Sequence, residues 1–247
     1  MKHKLLIIFF LAGMVLSCNN ENATECFRSM GATVIYEAEV TEFTKIHVSP
    51  GIELVLKQGD AYNVTLKTGK NIREFISAQV VDGELRIENR DNCNWTRGYN
   101  STTVYVTTPE LTKITSTSQF GITSDGVLGF PNLELASEIY EDGAASYFNL
   151  TVDAENLRID DNKSGYYVIK GRADQIYVNL PSGDSRVELQ DLELQRLGFF
   201  HRSSNDIIAA PQQEAKGQLM STGNLVLKTH PPVVEVEQVY LGSVVYN

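Results

Sequence analysis

Leu111-Thr-Lys-Ile114, Leu133-Glu-Leu135, Leu157-Arg-Ile159, Ile176-Tyr-Val178, Leu194-Gln-Arg-Leu197, Gln218-Leu219 and Val233-Val-Glu-Val236 each open a short apolar run. They recur at intervals of roughly twenty residues, the self-similarity of a stacked array. Polar corners separate them: Ser124-Asp-Gly126, Glu141-Asp-Gly143, Asp160-Asp-Asn-Lys-Ser-Gly165, Ser182-Gly-Asp184 and Ser221-Thr-Gly-Asn224. Such residues accept left-handed backbone or bond their own main chain, so they turn corners at little cost. No convincing helical period interrupts the series. Residues 110–247 therefore read as a single-stranded β-solenoid, like a right-handed parallel β-helix. Each rung buries its inward side chains only against its neighbours, so several rungs are needed and both ends require capping.

Upstream, residues 34–109 read as an N-terminal antiparallel strand region that caps one end. Ile52, Leu54 and Leu56 alternate with Glu53, Val55 and Lys57, and Tyr62, Val64 and Leu66 alternate with Asn63, Thr65 and Lys67. That period of two marks strands with one buried face. Asp82-Gly83 between Val80-Val81 and Leu85 specifies a hairpin with a type I′ turn. Asn71 to Ser77 is the one expected helical turn, with Asn71 as N-cap. Pro231-Pro232 and the last strand are expected to close the far end.

The chain opens with Lys2 and Lys4 followed by an apolar Leu5 to Leu16, too short for a comfortable bilayer span. Val15-Leu-Ser-Cys18 resembles the bacterial lipobox, in which the leader is cut before the cysteine and the thiol is acylated. Residues 1–17 are then a lipoprotein signal peptide, Cys18 carries palmitate and other acyl chains, and residues 18–33 form a polar tether. Each buried methylene contributes about 0.8 kcal/mol to holding a protein at a membrane. Cys26 and Cys93 remain, an even count in an oxidising compartment, and are expected to form a disulfide. The net charge is −10, with no Lys/Arg cluster. That excludes a nucleic-acid footprint, which needs a basic patch to displace counterions.

Phe43-Thr-Lys-Ile46-His-Val48, Ile52-Glu-Leu-Val-Leu-Lys-Gln-Gly-Asp60, Val81-Asp-Gly-Glu-Leu-Arg-Ile87, Cys93-Asn-Trp95 and Leu227-Lys-Thr-His-Pro-Pro-Val-Val-Glu-Val236 together resemble the head GIN domain family of auto-transporter adhesins. The resemblance covers about residues 40 to 240. The family's Gly-Ser-Gly-Asp turns survive here only as fragments such as Ser182-Gly-Asp184. It implies a β-solenoid of the bacterial cell envelope, a lipoprotein of the outer membrane in Bacteroidetes-like bacteria, with a role in cell adhesion. No catalytic residues come with it.

The residues themselves point the same way. Asp160-Asp161, Asp184, Asp191, Asp206 and Glu141-Asp142 sit in or near turns, where a carboxylate bonds backbone amides. Two of them aligned on stacked rungs would instead resemble the acid pair of a carbohydrate-active β-helix enzyme, the alternative reading. The calcium nonapeptide and the EF-hand loop are both absent, so no metal or cofactor is expected. His47, His201 and His230 lack a partner at motif spacing. Tyr147-Phe148, Tyr166-Tyr167, Tyr177 and Phe199-Phe200 fall in the repeats. Adjacent strand residues face opposite ways, so each doublet places one ring inside and one outside. Tyr166 or Tyr167, with Tyr177, is expected to contribute to a binding face. The expected partners are the membrane through Cys18 and a surface glycan or an envelope or host protein. A further alternative is a structural or signalling envelope module that binds protein.

Overall fold

The computed structural model describes residues 28–91, 102–139 and 145–247. The leader, Cys18, Cys26, Cys93, Trp95, Tyr140 and Glu141-Asp142 lie outside the described residues. Those described are all-β apart from one short 3-10 turn.

Two walls of strands face each other across one hydrophobic core. Each turn of the solenoid runs along the second wall, rounds a corner and runs along the first. The lowest turns are β6 (Glu84–Asn89) with β7 (Thr102–Thr108), then β2 (Lys45–Val48) with β3 (Ile52–Gln58), then β8 (Lys113–Ser116) with β9 (Gly121–Leu128). β10 (Asn132–Ser137) leads into four long strands: β11 (Ser146–Asp161), β12 (Gly165–Leu180), β13 (Arg186–His201) and β14 (Ile207–Leu219). Each long strand bends midway, so its first half belongs to the first wall and its second half to the second. β15 (Leu225–Leu227) and β17 (Val244–Tyr246) finish the first wall, and β16 (Val233–Gln238) finishes the second.

The register explains why these residues form strands. Val104, Leu54, Ile122, Phe148, Tyr167, Val187, Ile207 and Leu225 stand in one inward column of the first wall. Leu85, Ile46, Ile114, Leu135, Ile159, Val178 and Phe199 stand in the matching column of the second. All are buried, and each large aliphatic side chain contributes about 1.5–3 kcal/mol when fully buried. A slip of one residue would turn every column outward.

Corners are built from small residues and stacked turns. Ala154 and Ala173 are buried where β11 and β12 bend. At Gly171, φ is +98°, and a Cβ there would stand 2.2 Å from the Val152 carbonyl oxygen. On the opposite edge, Asp184 N donates to Lys163 O at 2.8 Å and Ser204 N donates to Gly183 O at 3.0 Å, so successive turns lie on one another. Asp206 Oδ1 accepts from Asn224 N at 2.9 Å, and Asn224 Oδ1 accepts from Ser243 N at 3.1 Å. The turn-lining Asx residues thus bond backbone, as their composition implies.

Several expectations are refined. The seven apolar runs all mark the second wall. Each turn also carries a first-wall strand, which the roughly twenty-residue recurrence did not resolve. Ser124-Asp-Gly126 is a bulge inside β9 rather than a corner, because the register against β11 jumps from Thr123↔Asn149 to Val127↔Thr151. The region before Pro109 is mixed rather than antiparallel. β2 and β3 pair in parallel with their neighbours and form a full turn. The antiparallel pairs are β1 (Thr33–Ala38) with β4 (Asn63–Gly69), β4 with β7, and β5 (Ile76–Val81) with β6, and these cap the stack. The Asp82-Gly83 hairpin forms as expected, with φ of 52° and 76°. The helical turn shrinks to Arg73–Phe75, and its N-cap is Ile72 rather than Asn71. Asn71 instead donates to Ser29 Oγ at 3.2 Å, while Arg28 pairs with Glu74 and lies over the Phe75 ring. The chain is thus docked from Arg28 onward, ahead of the expected end of the tether at residue 33. At the far end, the inward Val234, Val236 and Val244 are only half-buried, since no described strand lies above them.

Candidate binding surface

Strand alternation splits the aromatic doublets as expected. Tyr167 is fully buried, stacked on Phe148 with centroids 4.9 Å apart and planes at 7°. Its hydroxyl donates to Asp161 Oδ2 at 2.9 Å, and Lys163 N donates to Asp161 Oδ1 at 2.9 Å. Burial raises the Asp161 pKa, and burial with the neighbouring Asp161 charge pushes the Tyr167 phenol well above its usual range. Ser137 and Ser146 share a buried hydroxyl pair at 2.8 Å at the same corner. This cluster is an interior polar seam, and it takes Tyr167 off the surface. Asp161 is a structural acceptor here, enclosed with its donors.

Tyr166 and Tyr177 do reach solvent, at 38% and 41% exposed. They do not share a face. Tyr166 stands on the outer first wall, 5.6 Å from Tyr147, beside a hollow of about 420 Å³ lined by Ser164, Asp184, Arg186 and Asn205. Burial raises its pKa, with Glu188 adding to the rise. Tyr177 stands on the outer second wall.

There, the outward register position runs Lys113, Glu134, Arg158, Tyr177, Gly198, Lys216, Glu235. Lys113 pairs with Glu134 and Lys216 with Glu214, each at 2.8 Å. Arg158 grips Asp160 through two nitrogens and lies over the Tyr177 ring, 5.1 Å from its centroid. The hydrogen bond to Asp160 raises the Arg158 pKa further. Two residues earlier on each strand runs a second row: Asn132, Asn156, Gln175, Arg196, Glu214. Gln175 Nε2 donates to Asn156 Oδ1, and Asn156 Nδ2 donates to Asn132 Oδ1 at 2.7 Å. The second row, with Glu134, Arg158, Tyr177 and Gly198 of the first, lines a groove of about 480 Å³.

The other acids and histidines lie apart. Ser164 donates to Asp184, and Asp206 holds the Asn224 turn. His47 is on the outer second wall, His230 stacks on Tyr246 at 4.7 Å, and His201 is buried. Among the described residues no three His, Cys, Asp or Glu side chains converge. Sequence reasoning singled out Tyr177 and did not anticipate that Arg196, Gly198 and the amide row line the same groove. Their signal was a recurrence of outward polar positions in step with the turns.

The family description "Putative auto-transporter adhesin, head GIN domain" matches residues 42–231. This chain belongs to the head GIN domain family. Its fold recurs in several solved structures, among them three that are 14–15% identical. A "putative adhesin" from Bacteroides fragilis is 14% identical and superposes with a TM-score of 0.78 over 89% of this chain and 99% of that one. A "putative lipid binding protein" and a "putative adhesin", both from Parabacteroides distasonis, are 14% and 15% identical, with TM-scores of 0.65 and 0.63. Each covers 88% of this head GIN domain chain and 98% of its own. At such identities the likeness carries the fold alone. No curated protein matches the chain.

Proposed function

We propose that this head GIN domain protein is a non-catalytic adhesin of the bacterial cell envelope, held in the outer membrane by acyl chains on Cys18. The observation that carries the reading is the pair of outer walls. Parallel pairing in near-constant register lays outward side chains in straight rows across many turns, a format for extended contact rather than for a closed reaction centre. Membership of an adhesin family agrees with it. The acid whose pKa burial raises, Asp161, is enclosed in the core and faces no groove. A Cys26–Cys93 disulfide would tie the tether to the strands that cap the stack.

The test has two arms. Full-length protein expressed in a bacterium with an outer membrane incorporates labelled palmitate, and Cys18→Ala abolishes the label. Beads coated with the protein adhere to epithelial cells or to immobilised matrix components, and protease treatment of intact producing cells removes it. Absence of adhesion in every format would overturn the adhesin reading, and palmitate uptake by Cys18→Ala would overturn the anchor.

A further inference from the structure

We infer that the groove on the outer second wall, centred on Tyr177 and Gly198, binds a neutral polysaccharide laid across the strands. The inference rests on the adhesin reading and names the ligand class of its surface.

The groove crosses β10 to β14, four inter-strand spacings of about 4.8 Å, or about 19 Å of length. That suits an extended chain rather than a compact ligand. Within it, Gly198 interrupts a row of large side chains. The Tyr177 ring leans across it, so a Cβ at Gly198 would lie 2.9 Å from Tyr177 Cδ2. The next outward side chain in the row is Lys216, two strands beyond Tyr177. The half-exposed Tyr177 ring thus covers the place of the missing side chain and forms the floor of the groove there. A sugar ring presents a flat face of C–H groups, which an aromatic ring attracts, and it meets the part of the Tyr177 ring that Arg158 leaves exposed.

The polar lining matches hydroxyl pairs. The amide row is polarised in one direction, from Gln175 to Asn156 to Asn132, so Gln175 Oε1 remains an acceptor at one end and Asn132 Nδ2 a donor at the other. Arg196, next in the row after Gln175, is exposed and makes no hydrogen bond or ion pair among the described residues. A sugar hydroxyl both donates and accepts, so neighbouring hydroxyls satisfy Gln175 and Arg196 together.

Charge selects the class. The lining carries Arg158 and Arg196 against Glu134 and Glu214, a balanced set, on a chain of net charge −10. A polyanion would meet long-range repulsion with only one uncommitted cation to offset it. A protein partner would need an apolar anchor pocket. The apolar residues at the groove, Leu133, Leu157, Ile176 and Leu197, are each no more than 3% exposed.

The experiment uses the full chain in detergent micelles, immobilised on a biosensor. It is offered soluble β-glucan, xylan, mannan and galactan, with a polyuronate and two matrix proteins as counter-probes. At least one neutral polysaccharide binds, and Tyr177→Ala and Arg196→Ala each weaken it about tenfold or more. Tyr166→Ala, on the other wall, stays within about twofold. Thermal melting confirms that all three variants fold. Binding that survives Tyr177→Ala and Arg196→Ala overturns the inference, as does preference for the polyuronate. If matrix protein binds and no polysaccharide does, the inference falls while the adhesin reading stands. If nothing binds, the inference falls, and the adhesin reading is decided by the cell-adhesion assay.

Discussion

His201→Leu is expected to remove an acid sensitivity built into the stack. His201 is fully buried, in the inward column between Leu180 and Leu219, and neither ring nitrogen has a hydrogen-bond partner among the described residues. Burial lowers its pKa from 6.5 to about 4, a fall that the Asp206 charge and the nearby Asn205 backbone partly oppose. In the unfolded chain the imidazole titrates near its ordinary value. Between about pH 6.5 and 4 the unfolded state therefore binds more protons, so stability rises with pH across that window and is lost on acidification. At about 1.4 kcal/mol per unit, the full loss is on the order of 3 kcal/mol, of which about 2 kcal/mol appears by pH 5. Leucine continues the column of its two neighbours and removes two unpaired nitrogens. The variant should be more stable at pH 7 by about 1 kcal/mol or more. Urea unfolding of both proteins at pH 7, 6 and 5 measures the difference. Asp161 titrates in both, so its opposite contribution cancels. If the gap between wild type and variant stays constant from pH 7 to pH 5, the neutral buried imidazole is refuted.

Phe148→Ala removes a fully buried ring stacked on Tyr167, and should cost about 3–5 kcal/mol by chemical denaturation. Gly183→Ala forces a side chain into φ of +84°, with its Cβ 1.6 Å from the Lys163 carbonyl oxygen, and should cost well over about 1 kcal/mol with loss of the midpoint rather than of slope. Tyr167→Phe strips the phenol that donates to Asp161, leaving a buried carboxylate short of a donor. About 1–3 kcal/mol should be lost at pH 7, with partial recovery on acidification as Asp161 takes up a proton. A pH-independent loss would show that Asp161 is not the acceptor that matters.

The apolar runs from Leu111 to Val236 were enough to announce a stacked β architecture. A strand must bury one face, and an array repeats that requirement at a fixed interval. The Asp82-Gly83 hairpin and the inside–outside split of Tyr166-Tyr167 were legible for the same local reasons: a positive φ at the turn and a period of two in the strand. Cys18 and its leader are likewise a matter of chain order alone, and that expectation lies outside the described residues. The rest needed three dimensions. β9 and the first halves of β11 to β14 make up the first wall, which the recurrence of the second-wall runs did not separate, because its pairing and packing come from other turns. The parallel insertion of β2 and β3 between β6–β7 and β8–β9 leaves no mark on any one segment. The groove belongs to this second kind. Asn132, Asn156, Gln175, Arg196 and Glu214 are ordinary surface residues in sequence, and they become a row only because lateral pairing sets them one strand apart.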